Sequence, residues 1–99
     1  MDKSEFLASE IPVVVKFTAA YCGPCRQLSP VLTKLAGDYA GRVRVVTVDI
    51  QEDPALAQHY AVRSVPTLLA LRDGCVVEQQ VGYSNPRRVE ELFENLTSS

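Results

Sequence analysis

The stretch VVVKFTAAYCGPC, residues 13–25, passes from an apolar run into two cysteines separated by Gly-Pro. Residues 13–19 are β-branched and aromatic, which predicts a buried strand. After Cys22 the apolar residues fall at helical spacing, which predicts a helix that Pro30 kinks and Gly41 ends. The apolar positions of this helix are Leu28, Val31, Leu32, Leu35, Ala36 and Tyr39. The two cysteines therefore lie where a strand passes into a helix.

The rest of the chain continues this alternation of strands and helices. Asp53 and Asn85, each followed by a proline, are predicted N-caps, and Asp73-Gly74 is the predicted hairpin turn. The further predicted elements are a short helix over 3–9, a strand over 43–50, a helix over 53–61, a hairpin over 67–81 and a helix over 85–96. Strand, helix, strand implies a right-handed parallel crossover. The predicted fold is an α/β sandwich, with a mixed sheet of about four strands flanked by helices.

Length and composition indicate one globular domain, residues 1–99. Apolar residues make up 46% of the chain and charged residues 22%, which argues against disorder. The net charge is −2 and there is no basic block, so no nucleic-acid partner is expected. The longest apolar stretch, at 11–15, is too short to cross a membrane. The first ten residues lack the apolar region of a secretory signal, so the expected location is cytoplasmic.

The position of the cysteine pair predicts redox chemistry. Cys22 lies at a helix N-terminus, where unpaired N–H groups and the helix dipole favour an anion, so it is the expected thiolate and nucleophile. Cys25 lies one turn further on the same face, within disulfide reach, and is the expected resolving thiol. Pro24 is tolerated in the first turn and stiffens it. The expected reaction is thiol–disulfide exchange.

Two other interpretations of the pair are weaker. A zinc site needs about four ligands, and only Cys75 and His59 remain as candidates, so no metal is expected. A structural disulfide between residues three apart closes too small a loop to stabilise much. Cys75 follows the hairpin turn and is interpreted as a small strand residue, with a reactive exposed thiol as the alternative.

Several ordered motifs resemble the thioredoxin family. YCGPC at 21–25 follows an apolar strand, SVPT lies at 64–67, DG lies in the hairpin, and VGY at 81–83 ends it. The resemblance covers residues 11–97 and implies a thioredoxin-like three-layer sandwich that reduces disulfides of protein substrates. It also implies no metal and no cofactor apart from the redox-active disulfide. NADPH would be used indirectly, through a thioredoxin reductase or a related electron donor.

The same resemblance assigns a substrate-binding surface. The family's proline at the position of Pro66 is cis and lies against the cysteine pair, and Val65 offers backbone groups to an extended substrate chain. The residues alone favour a trans proline that opens a strand, because cis is the minority state of X-Pro bonds. The implied docking residues are Tyr21, Gly23, Pro24, Val65, Pro66, Val81 and Gly82.

Lys16 is the main departure from the family. A buried aspartate is usual at this position, its lysine partner is usual at Thr47, and tryptophans are usual at Thr18 and Tyr21. Strand alternation turns Lys16 toward a helix-covered layer. Either its stem lies on apolar surface while the ammonium reaches water, or the ammonium approaches Cys25 and acts on its proton. In the second case Lys16 is a modulating residue whose charge favours a thiolate and makes the protein a weaker reductant.

The amino-terminal region is short for the family, so the first edge strand of the family is expected to be missing. Residues 43–49 would then form a sheet edge, and an exposed β-branched edge can pair with another chain. We expect a monomer, with an edge-strand dimer as the alternative. The functional alternative is a redox-sensing or partner-docking module with little general turnover.

Overall fold

The computed structural model describes residues 9–98, which form four strands and three helices. The strands are β1 (Val13–Thr18), β2 (Arg44–Asp49), β3 (Thr67–Arg72) and β4 (Cys75–Val81), and the helices are α1 (Gly23–Asp38), α2 (Pro54–His59) and α3 (Pro86–Thr97). The predicted elements in this range are confirmed, with small differences at their ends. The helix predicted over 3–9 lies outside the described residues, except for Ser9.

The strands form one mixed sheet in the order β2-β1-β3-β4. β1 pairs in parallel with β2, to which α1 connects it, and antiparallel with β3. β3 and β4 form the predicted hairpin, with a register shift between Ala70 and Leu71 that the sequence pattern did not indicate. The predicted α/β sandwich with a mixed four-stranded sheet is confirmed. Within the described residues β2 lies at one edge of this sheet.

β1 is a central strand, and its side chains alternate between two cores. Val14 packs in a cluster with residues of α1 and α3, whereas Val15 and Phe17 pack in a second cluster with residues of α2. Because both faces of β1 are covered, its sequence is a nearly continuous apolar run. The alternation places Lys16 on the same face as Val14, in the layer between the sheet and α1.

Local chemistry sets the ends of the elements. The side chains of Asp53 and Asn85 each accept a hydrogen bond from the backbone N–H three residues later, at 3.2 and 3.0 Å, which caps α2 and α3 as predicted. Asp73 and Gly74 have φ values of 53° and 78°, the left-handed conformation that a tight hairpin turn requires. α1 contains Pro30 and continues to Asp38.

Candidate redox-active site

The cysteine pair lies at the start of α1, just beyond the end of the central strand β1. Cys22 is the N-cap residue of α1, with extended backbone dihedrals (φ −138°, ψ 103°), and Pro24 lies in the first turn. Cys22 and Cys25 are joined by a disulfide, with their Cα atoms 5.2 Å apart. The helical turn thus holds the two sulfurs where each can react with the other.

The start of α1 favours negative charge on Cys22. The backbone N–H of Cys25 donates a hydrogen bond to Cys22 Sγ, with a nitrogen–sulfur distance of 3.2 Å. The first turn holds no acidic residue that would oppose a thiolate, and the positive end of the helix dipole points at the sulfur. Cys22 is 7% exposed and Cys25 is 2% exposed. The residue at the helix start is therefore also the more exposed of the two cysteines, as expected of a nucleophile.

A second loop meets the same end of the sheet. Phe17 pairs with Thr67, and Thr67 pairs with Val81. The start of β3 and the end of β4 therefore lie level with the end of β1. The Val65–Pro66 peptide bond is cis, as the family resemblance implied and the residues alone did not. The N–H of Gly82 donates to the carbonyl of Pro66 at 2.8 Å. This hydrogen bond ties the proline loop to the residue after β4.

The residues predicted to form the docking surface lie around this end of the sheet. Tyr21, Gly23 and Pro24 are exposed beside the disulfide, and Gly82 is exposed after β4. Val65 is half-buried and Pro66 is buried. Val81 is an exposed apolar side chain at 55%. Within residues 9–98, no hydrogen bond occupies the backbone N–H or C=O of Val65.

The side chain of Lys16 extends from β1 to the first turns of α1, where it contacts Cys25 and Ser29. Its side chain is only 5% exposed. Nζ donates to the backbone carbonyl of Cys25 at 3.1 Å and to Ser29 Oγ at 2.7 Å, and the Ser29 hydroxyl donates to the same carbonyl at 3.0 Å. The ammonium is therefore held against α1, with little of the residue exposed to water. It approaches Cys25, but its contact is with the carbonyl oxygen of that residue.

Burial makes the charge on Lys16 sensitive to pH. Desolvation lowers the pKa of its ammonium below the ordinary value of 10.5. The unfolded chain therefore holds this proton more tightly than the folded chain. Below the lowered pKa both states are charged and the full desolvation penalty opposes folding. As the pH rises from the lowered pKa through 10.5, the penalty disappears, so this residue's contribution to stability rises over that window.

Replacing Lys16 by methionine should stabilise the fold at pH 7, because it removes the buried charge and keeps an apolar stem. Urea unfolding of both proteins between pH 7 and pH 11 measures this. The gap between the two proteins should narrow as the pH rises, since deprotonation gives the wild-type residue the same relief. A methionine variant that is less stable at pH 7 would show that the two hydrogen bonds of Nζ outweigh the desolvation.

Ser29 was missed by sequence reasoning. Its signal was its place four residues after Cys25, on the same face of α1, but a serine on an exposed helix turn gives no reason to pair it with a lysine of β1. The other polar candidates lie apart from the disulfide. Cys75 is an exposed free thiol, and His59 packs against Tyr60. Among residues 9–98 no His, Cys, Asp and Glu side chains form a group of three that could hold a metal ion.

Comparison with known proteins gives one consistent family. The family model described as Thioredoxin matches residues 3–98. The chain is 46% identical over 80 residues to "Thioredoxin 1" of Synechococcus elongatus, an alignment that covers 81% of this chain and 75% of that protein. It is 44% identical to "Thioredoxin 2" of Chlorobaculum tepidum and 41% identical to "Thioredoxin" of Haemophilus influenzae, each over 80 residues and 81% of this chain, with 73% and 75% of those proteins covered. No helix within residues 9–98 is long and apolar enough to cross a membrane.

Proposed function

This chain belongs to the thioredoxin family and is a thiol–disulfide oxidoreductase, and from this premise we propose that it is a reductase of protein disulfides. The observation that carries the proposal is the state of Cys22. Its sulfur caps a helix, accepts the N–H of Cys25, and lies at the end of the sheet where Val65 and Pro66 lead into β3. A sulfur in that position can attack a disulfide that a bound chain presents.

The proposed reaction has two exchange steps. The Cys22 thiolate attacks one sulfur of the substrate disulfide, which forms a mixed disulfide and releases the other substrate sulfur as a thiolate. Cys25, as a thiolate, then attacks Cys22 Sγ and releases the second substrate thiolate. Two electrons pass from the dithiol to the substrate, and the protein is left with the Cys22–Cys25 disulfide. The two substrate thiolates take up the two protons that the dithiol lost.

The substrate chain is proposed to dock in extended form along the Val65–Pro66 loop. The N–H and C=O of Val65, which make no hydrogen bond within residues 9–98, offer a pair of backbone hydrogen bonds, which is how an added strand is recognised. The exposed apolar side chains of Tyr21 and Val81 lie on either side of this loop in the sheet order and supply apolar contact. Recognition through backbone groups suits an enzyme that acts on many protein disulfides.

Replacing Val81 by glutamate should raise KM for a protein disulfide roughly five- to tenfold and leave kcat nearly unchanged, equivalent to about 1 kcal/mol of docking free energy. Val77→Glu is the matched control. Val77 is also an exposed valine of β4, at 52% against 55% for Val81, but lies four residues back along the strand. Initial rates against insulin concentration give both constants. Equal KM values for the two variants would remove Val81 from the docking surface.

Lys16 is proposed to act on the same reaction through charge. Its ammonium donates a hydrogen bond to the carbonyl of Cys25. The positive charge therefore favours a thiolate at the pair and stabilises the reduced protein. Thiol titration of reduced Lys16→Met against wild type, both carrying Cys75→Ser, tests this. We expect a higher thiolate pKa in the variant, because the positive charge near the pair is gone. Identical pKa values would mean that Lys16 has only a structural role.

The decisive experiment is reduction of insulin by the protein with NADPH and a thioredoxin reductase. No metal or tightly bound cofactor enters the proposed reaction, and the reductase supplies the electrons. Fast turnover would support the proposal as stated. Turnover that appears only with dithiothreitol would support the reduction of protein disulfides but require a different electron donor. No turnover with either reductant would reject the proposal in favour of a redox-sensing or docking module.

A further inference from the structure

A groove lies beside Lys16, between α1 and the edge strand β2. We call it the Lys16 groove. It encloses about 270 Å³ and is lined by hydroxyl side chains and by aliphatic ones. Its lining includes Lys16, Ser29, Thr33, Ala36, Val45 and Thr47. A space of this size can hold one small organic molecule.

The ammonium at the base of this groove has no counter-charge within the described residues. Its partners there are a carbonyl and a hydroxyl, both neutral. The residue paired with Lys16 on β2 is Thr47, which also lines the groove and also carries no charge. An ammonium has three N–H donors, and two of them are occupied. A buried cation without a counter-charge is unfavourable, and an anion in the groove would supply one.

The walls of the groove select among anions. The hydroxyls of Ser29 and Thr33 already donate to the backbone carbonyls of Cys25 and Ser29, so within the described residues Thr47 is the hydroxyl left to donate to an anion. Ala36 and Val45 offer aliphatic surface. A fully polar anion such as phosphate would lose hydration against those aliphatic walls without replacement. A short aliphatic carboxylate matches both parts, because its charged end can meet the ammonium and the Thr47 hydroxyl while its tail covers apolar surface.

We propose that the Lys16 groove is a binding site for a small aliphatic carboxylate. The carboxylate accepts the third N–H of Lys16 and the hydroxyl hydrogen of Thr47, and its short tail lies against Ala36 and Val45. This goes beyond the proposed reduction of protein disulfides, because no step of that reaction uses the groove. The ligand would nevertheless share the ammonium that holds the carbonyl of Cys25.

Sodium propionate, titrated into ¹⁵N-labelled oxidised protein at pH 7 and constant ionic strength, is the test. We expect saturable amide shifts at Ser29, Thr33 and Thr47. Propionamide, which has the same shape without the charge, should cause none. The shifts should be lost in Lys16→Met and kept in Lys34→Met, because Lys34 is an exposed lysine of α1 that is already paired with Asp38.

The opposite results overturn the proposal. Shifts that rise linearly, or that sodium chloride reproduces, would mean that water and salt alone occupy the groove. Equal shifts with propionamide would remove the role of charge, and saturation by inorganic phosphate but not propionate would overturn the aliphatic carboxylate as ligand class. If Lys16→Met does not fold, Ala36→Phe fills the groove and keeps the lysine. Saturable propionate shifts that persist in that variant would place the binding elsewhere.

Discussion

Replacing Cys22 by serine should reduce insulin-disulfide turnover to the background rate. Serine keeps the N-cap of α1, since its oxygen can accept the N–H of Cys25 as Cys22 Sγ does. It cannot replace the thiolate, because a hydroxyl is not ionised at neutral pH and forms no mixed disulfide. The helix should therefore remain intact while the first exchange step disappears. Turnover with dithiothreitol as donor measures the loss without dependence on a reductase.

Cys75→Ser is the matched control for this variant, because Cys75 is the third cysteine of the chain and is exposed and free. It should leave turnover unchanged. Cys25→Ser should show the complementary effect, in which Cys22 still attacks but the mixed disulfide is not resolved. Mass spectrometry of a Cys25→Ser, Cys75→Ser protein should find the substrate bound at Cys22. If Cys22→Ser kept turnover, or if the Cys25→Ser protein formed no adduct at Cys22, the roles assigned to the two cysteines would be wrong.

Replacing Phe93 by alanine should destabilise the fold by about 3–5 kcal/mol. Phe93 is fully buried in the cluster between the sheet, α1 and α3, and its ring centroid lies 5.3 Å from that of Tyr39. Its removal leaves a cavity that neighbouring helices can close only in part. Domains of this size have a total stability of about 5–15 kcal/mol, so this single change removes a large share.

Urea unfolding followed by circular dichroism measures the change, because the chain has no tryptophan to report by fluorescence. Glu91→Ala is the control on the same helix. Glu91 is exposed, so its replacement should change stability by less than about 0.5 kcal/mol. The folded fraction of Phe93→Ala should keep the activity of the wild type, since the core cluster that holds Phe93 does not include the cysteines. A loss below about 1 kcal/mol would mean that α3 is not packed as described.

Sequence patterns predicted the fold well where one physical cause dominates. The helical spacing from Leu28 to Tyr39 sets the buried face of α1, and the proline after each of Asp53 and Asn85 marks a capped helix start. The register shift at Ala70 and Leu71 was not predicted, because it depends on how two strands twist together and leaves no distinct residue type. The hairpin turn itself was predicted because Asp73-Gly74 carries its own conformational signal.

At the site, the cysteine pair could be assigned from spacing and helix electrostatics alone. Strand alternation could predict which face of the sheet the Lys16 side chain lies on, but it could not predict which groups its ammonium contacts. That depends on Ser29 and the carbonyl of Cys25, two acceptors on a different element that compete with water for the ammonium. The cis state of Pro66 likewise came from the family resemblance, because no local feature overcomes the ordinary preference for trans.

Because β1 pairs with β2 on one side and β3 on the other, its position determines how unfolding reaches the cysteine site. A strand with neighbours at both edges and helices on both faces exposes its amides to solvent only when the whole domain opens. Native-state hydrogen exchange should therefore find the slowest amides in Val14–Phe17, while β4 frays locally at its outer edge. The turn of Cys22 and Cys25 follows directly from that slow strand. Local fraying of β4 would disturb the docking residues Val81 and Gly82 but leave the cysteine turn assembled, so the turn itself should be lost only when the whole domain opens.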